Sequence, residues 1–137
     1  MALDEKTIKM AKGPNYAALT TLFKDGSPQT HTMWVDTDGE HILINTEIHR
    51  VKYKNIKNDP RVSVMIWKHD DAFKFVEIKG KGIREITGEH AEKNIQSLSD
   101  KYWGKPYPFT IQTERIVLKI LAEREFFFNI KDEDFDN

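Results

Sequence analysis

Phe73-Lys74-Phe75-Val76-Glu77-Ile78-Lys79-Gly80-Lys81-Gly82-Ile83-Arg84-Glu85-Ile86 is the stretch on which the fold turns. Aromatic and β-branched residues recur along it, as a pleated, half-buried strand requires. Gly80 and Gly82 interrupt that pattern, and a glycine inside a strand marks a bulge or a sharp bend. A long strand with a bend near its middle turns a sheet back toward itself, so the segment predicts closure into a barrel.

Outward from there, Tyr16 to Phe23, the turn Lys24-Asp25-Gly26-Ser27 and Pro28 to Val35 read as a hairpin. Asp36-Thr37-Asp38-Gly39 is a second turn, and His41 to Thr46 a third strand whose Ile42 and Ile44 share a face. These three strands are expected to form a meander. Val62 to Trp67 is the next strand, turning at His69-Asp70-Asp71, and Arg115 to Ala122 and Glu123 to Asn129 are the last two β-rich runs. Glu89 to Trp103 sets Ala91, Ile95, Leu98 and Tyr102 on one helical face and stops at Gly104 with Pro106 beyond. Shorter helices are expected over Asp4 to Lys12, closed by Gly13-Pro14, and over Glu47 to Asn58, ended by Asp59-Pro60. The reading is one mainly β domain over residues 1–130 with peripheral helices, followed by an acidic tail, 131–137, expected to fray.

Composition narrows the function. The absence of cysteine excludes disulfides, zinc–thiolate sites, iron–sulfur clusters and thiol nucleophiles. A reducing cytoplasm fits. The five histidines lack ligand spacing, so no metal site is expected. A net charge of −1 gives no global attraction to nucleic acid or an anionic membrane. No run approaches the roughly 20 apolar residues of a membrane span, and no apolar export signal follows the first charges.

Any anion site must therefore be local, and one segment offers it. Arg50, Lys52, Lys54 and Lys57 crowd a short helix, with three of the four in its first half. A helix N-terminus already carries partial positive charge, so each cation there is disfavoured by roughly 0.3–1 kcal/mol. A phosphate reverses that sign by accepting from the free amides and from the cations. A solvated basic face is the plainer alternative. The polar strand end Asn45-Thr46, just upstream, and the strand Gln29-Thr30-His31-Thr32-Met33-Trp34 add donors suited to a planar heterocycle and its phosphate.

Ala18-Leu19-Thr20-Thr21-Leu22, Asp25-Gly26-Ser27-Pro28-Gln29, Arg50-Val51-Lys52-Tyr53-Lys54-Asn55-Ile56, Asn58-Asp59-Pro60-Arg61-Val62-Ser63-Val64, Lys101-Tyr102-Trp103-Gly104 and Tyr107-Pro108, in this order, resemble the pyridoxamine 5'-phosphate oxidase-like split-barrel flavoproteins, and among them the small FMN- or F420-dependent members. The resemblance implies an FMN-binding split β-barrel of six to seven antiparallel strands with Greek-key connections and short peripheral helices. It also implies a homodimer with cofactor at its interface. The ring would lie along Gln29, His31, Thr32, Met33 and Trp34, and the phosphate would meet Asn45, Thr46, Arg50 and Lys52. Lys74 and Phe75 match a strand that such proteins place near the cofactor. Trp34, Trp67 or Trp103 could wall the ring. The segment after Phe109 departs from true pyridoxamine-phosphate oxidases, which argues against vitamin B6 oxidation.

The expected function is a flavin- or deazaflavin-dependent oxidoreductase that moves a hydride to or from a small organic substrate, without an assigned catalytic acid or base. A cofactor carrier or sensor without turnover is one alternative, and a small-barrel nucleic-acid binder, disfavoured by the charge balance, is another. FMN needs a pocket that closes after one phosphate. The polyglutamate tail of F420 needs a cationic path outward, for which Lys54, Lys57, Lys79 and Lys81 are the candidates.

Overall fold

Seven strands and three helices organise residues 3–135, the part of the chain that the computed structural model describes. In chain order they are α1 (Glu5–Lys12), β1 (Tyr16–Leu22), β2 (Pro28–Met33), β3 (Asp36–Thr37), β4 (Ile42–Glu47), α2 (Val51–Asn58), β5 (Arg61–Lys68), β6 (Asp71–Thr87), α3 (Glu89–Trp103) and β7 (Arg115–Phe128). The strands pair antiparallel in the order β2-β1-β5-β6-β7-β4-β3. The result is a mainly β split barrel.

The bend predicted at the two glycines is present. The β6–β7 register shifts between Lys79 and Gly80 and again between Gly82 and Arg84. A Cβ on Gly80 would lie 2.1 Å from the Leu121 carbonyl oxygen, and one on Gly82 would lie 2.7 Å from Ile56 Cγ2. Both glycines are therefore demanded by close approach. Gly80 lets β7 come in tight at the bulge, and Gly82 makes room for α2.

The core lies on the inner face of the curled sheet, where Leu19, Val64, Ile66, Val76, Ile78, Ile44, Leu118 and Ile120 are almost wholly buried. Helix α2 packs one side against this core. Its Ile56 enters the core, Asn55 Nδ2 donates to Thr21 Oγ1 of β1 at 3.0 Å, and Tyr53 donates to Glu85 of β6 at 3.2 Å. Helix α3 covers a smaller cluster of Leu43, Ala91 and Val117 on the opposite face.

Several expectations need correcting. The third strand does not extend the first hairpin as a meander, because β4 pairs with β7. All six of its residues are buried, so it needs cover on both faces and finds a central position only beside β7. The turn at Asp36 instead contains β3, which pairs with β4. The last two β-rich runs are one continuous strand, and α2 starts at Val51 rather than Glu47 because Glu47 is still paired with Arg115 in the sheet. The described part of the tail is docked. Asp132–Phe135 form a 3-10 turn, Asp134 pairs with Lys74, Lys68 donates to the Asp134 carbonyl at 3.0 Å, and Phe135 packs on the core. The tail's one aromatic side chain anchors it, against the expectation that it frays. Residues 136–137 lie outside the described part.

Replacing Gly80 with Ala forces apart backbone atoms that have no side-chain freedom to yield, and should destabilise the fold by about 2–3 kcal/mol. Urea unfolding measures this, and an unshifted midpoint would contradict the tight β6–β7 approach.

Candidate functional site

Strand β2 leaves the sheet after Met33 because other groups take over its backbone. The Val35 amide donates to the Tyr102 hydroxyl at 3.1 Å, and Lys101 Nζ donates to the Val35 carbonyl at 2.6 Å and to the Ala11 carbonyl at 2.9 Å. Tyr102 donates in turn to the Asn15 carbonyl at 2.6 Å. The end of α3 thus latches the β2–β3 junction to the first helix. Trp34 is held between Tyr102, parallel to it with centroids 5.1 Å apart, and Trp103, edge-on at 4.6 Å. Burial pushes the pKa of Lys101 down to about 8, and the two carbonyls that accept from it hold it in place.

Trp34 forms one wall of a cleft of about 310 Å³, at the small end of the roughly 300–1,000 Å³ range of ligand sites. Thr32 and Met33 continue that wall, Asn45 and Thr46 come from β4, Arg50 and Lys52 from the start of α2, Trp103 from α3, Tyr107 and Phe109 from the following loop, and Arg115 from β7. Arg50 is the N-cap of α2, yet no side chain caps this helix and its first turn contains no acid. The helix end, with its unpaired amides and partial positive charge, is left without the usual compensation.

The cations confirm the imbalance. Lys52 is buried, and among the described residues its ammonium has only the Met33 thioether sulfur as a partner, at 3.1 Å. Burial first, then Arg50 and Arg115, drive its pKa from 10.5 down to about 8. Arg115 is 6% exposed, and burial lowers its pKa as well. It donates to the Tyr107 hydroxyl at 3.0 Å and lies 3.8 Å from Glu47, while its Nε is buried without a partner. Asn45 Oδ1 is orphaned in the same way, although Asn45 Nδ2 is fixed by the Ala91 carbonyl at 2.8 Å and Asn94 at 3.0 Å. Buried polar atoms with nothing to bond are rare, and two of them here belong to residues that line the cleft.

Seven of the residues expected from sequence therefore meet: Thr32, Met33, Trp34, Asn45, Thr46, Arg50 and Lys52. Gln29 and His31 lie further back on β2 and do not line the cleft, and Lys74 and Phe75 are elsewhere on β6. Lys74 is occupied by Asp134, and Phe75 stacks on Phe128 at 5.2 Å. Of the three tryptophans, Trp34 and Trp103 line the cleft and Trp67 does not. None of Lys54, Lys57, Lys79 and Lys81 lines it either, and Lys57 and Lys81 face Glu85 and Glu123.

Arg115, Tyr107 and Phe109 were missed. Arg115 opens the apolar run Ile116-Val117-Leu118, and a charge at the head of a strand looks like an ordinary exposed end. Its pairing with β4 and the cover of Tyr107 are long-range contacts that the local sequence does not show.

This architecture, a bent antiparallel sheet with a cationic cleft at the head of a short inner helix, is that of a split-barrel protein. The chain belongs to the pyridoxamine 5'-phosphate oxidase family, whose profile matches residues 3–127. Among solved structures it is similar to an F420 reductase, with 25% identity over 90% of this chain and 98% of the other and a TM-score of 0.78. A conserved hypothetical protein from Mycobacterium tuberculosis shares the fold at 22% identity, covering 93% of this chain and 86% of its own, with a TM-score of 0.65. General Stress Protein 26 from Bacillus anthracis does so at 18% identity, with 92% of each chain covered and a TM-score of 0.61.

The depressed pKa of Lys52 carries a sign. Between about pH 8 and 10.5 the unfolded chain holds a proton that the folded chain has lost, so this group makes stability rise with pH across that window. Below it, the full penalty of a buried charge is present. Lys52→Met should therefore stabilise the ligand-free protein at pH 7 by about 1 kcal/mol, or about 3 °C, with the gain shrinking toward pH 10.5. A lower melting temperature for the variant at pH 7 would show that Lys52 is not strained.

Proposed function

We propose that this cleft holds a phosphorylated flavin-type cofactor, FMN or the deazaflavin F420, and that the protein is an oxidoreductase moving a hydride to or from a small organic substrate. The observation that carries the reading is the meeting of Arg50, Lys52 and Arg115 at an uncapped helix N-terminus, where Lys52 has no anionic partner among the described residues. The residues present fit such a group. Arg50, Lys52, Arg115 and the first amides of α2 would hold its phosphate, while Asn45 Oδ1 is an acceptor awaiting a donor.

When bound, the cofactor supplies the hydride chemistry, and the protein supplies binding, orientation and exclusion of water. Thr32, Met33 and Trp34 form the wall against which a planar ring would rest, with Trp103 and Phe109 on the outer side. Tyr107, the cleft's hydroxyl-bearing aromatic beside Arg115, is engaged by that guanidinium and serves to position it. The family match and the likeness to an F420 reductase support the class of reaction.

Titration of FMN and of F420 into the protein, followed by absorbance and fluorescence, tests the reading. Micromolar or tighter binding is expected, and Arg50→Ala with Lys52→Ala should weaken it about 100-fold or more by removing two charge-assisted contacts. Unchanged affinity in the double variant would refute the placement. Reduction by NAD(P)H or reduced F420 and reoxidation by small acceptors should then proceed in a single turnover. Binding without any turnover would mark a carrier.

The reading includes a homodimer. Tyr16, Trp67, Phe75 and Phe128 form one cross-strand row on the outer face of the sheet, with Phe73 and Phe126 also exposed. Tyr16 reaches the cleft, so a second copy on this apolar face would also approach the site. Phe75→Glu with Phe128→Glu should convert a dimer to a monomer in sedimentation velocity. A wild-type monomer, or a dimer indifferent to both charges, would refute this surface.

A further inference from the structure

Among the described residues, Glu47 is the carboxylate that touches the cationic cluster, and its side chain is 3% exposed. Oε1 accepts from the Gln112 amide at 2.8 Å, the Thr113 amide at 2.6 Å and the Thr113 hydroxyl at 3.2 Å. Oε2 faces Arg115 at 3.8 Å across the β4–β7 pairing. Thr113 also meets His49 Nδ1 at 2.9 Å, and the Ile48 amide donates to the Glu114 carbonyl at 3.0 Å. One carboxylate therefore joins the segment entering α2 to the segment entering β7. Burial acts to raise its pKa, but the Thr113 and Gln112 amides and Arg115 outweigh it and keep the group ionised.

We infer that Glu47 is the positioning residue of the anion site: one oxygen pins residues 112–113, and the other orients Arg115 toward the bound phosphate. The inference rests on the anion-site reading above and adds a role that the reading does not need. At 3.8 Å the Glu47–Arg115 contact is a loose pair, and Arg115 is anchored otherwise only by Tyr107. The carboxylate limits the swing of the guanidinium without consuming its donors. Because one negative charge stands among Arg50, Lys52 and Arg115, the cluster keeps an excess of positive charge for a ligand.

Charge and position pull in opposite directions here, which makes the role testable. Glu47→Gln keeps an acceptor for the two amides and removes the negative charge. If Glu47 were merely a counter-charge, its loss would tighten anion binding; if it orients Arg115, binding weakens. FMN is the probe, with inorganic phosphate as a second. We expect Glu47→Gln to weaken both roughly tenfold, the effect of one misdirected charge-assisted hydrogen bond, and to lower the melting temperature of the ligand-free protein, because Arg115 loses the carboxylate beside it. In an Arg115→Lys background the same substitution should have less than about a twofold effect, since interacting residues are not additive.

Equal or tighter binding by Glu47→Gln, or a tenfold loss that persists in the Arg115→Lys background, overturns the role. Should Glu47→Gln fail to fold, Glu47→Asp retracts the charge while keeping it, and an affinity equal to wild type would be the refutation. Phosphate binding by a wild-type protein that takes up neither FMN nor F420 would sink the flavin-type reading alone, and a wild-type protein that binds none of the three would sink both.

Discussion

Burying like charges together is what the rest of this structure has to accommodate. Lys52 sits inside the protein beside Arg115 and Arg50, at a helix end whose own dipole is positive, and Glu47 alone among the described carboxylates answers the cluster. Desolvation and repulsion both oppose the arrangement, as the lowered pKa of Lys52 records. A negatively charged ligand offsets these costs by attracting each cation and the helix end at once. Stability given up in the free protein is the expected counterpart of affinity in the bound one.

The fold is arranged so that this strain is held rather than relieved. The bulges at Gly80 and Gly82 bend β6 around Ile56, which fixes the buried side of α2 on the core with its N-terminus at the cleft. Asn55 and Tyr53 tie the same helix to β1 and β6, so it cannot rotate Lys52 out into water. At the other wall, Lys101 and Tyr102 capture the backbone around Val35 and place Trp34 against the cleft. Rigid walls on both sides are what a flat aromatic ligand with one charged end requires.

Local patterns carried the sequence reading far. The bounds of α3 follow from its apolar spacing and its Gly104 cap, and the bend of β6 from its glycines. Arg50, Lys52, Asn45 and Thr46 were visible because their chemistry is concentrated within a few residues of one another. What stayed hidden depends on distant pairing. Ile42 and Ile44 suggested a strand with one buried face, whereas Leu43, Asn45 and Glu47 are also covered, by α3 and the loop before β7. Arg115 reaches the cleft only when β7 lies beside β4, and Lys74, expected near a cofactor, pairs with Asp134 away from this cleft. Phe135, in a stretch that reads as a solvated acidic tail, packs on the core between Lys9 and Lys68.

The most direct test of the central idea uses no cofactor. Melting of the wild-type protein at pH 7 can be compared in phosphate and in chloride at matched ionic strength, so that general screening cancels. The account predicts a higher melting temperature in phosphate, rising with concentration as a binding equilibrium demands. Identical curves in the two salts would show that the cluster takes up no phosphate and would contradict the account.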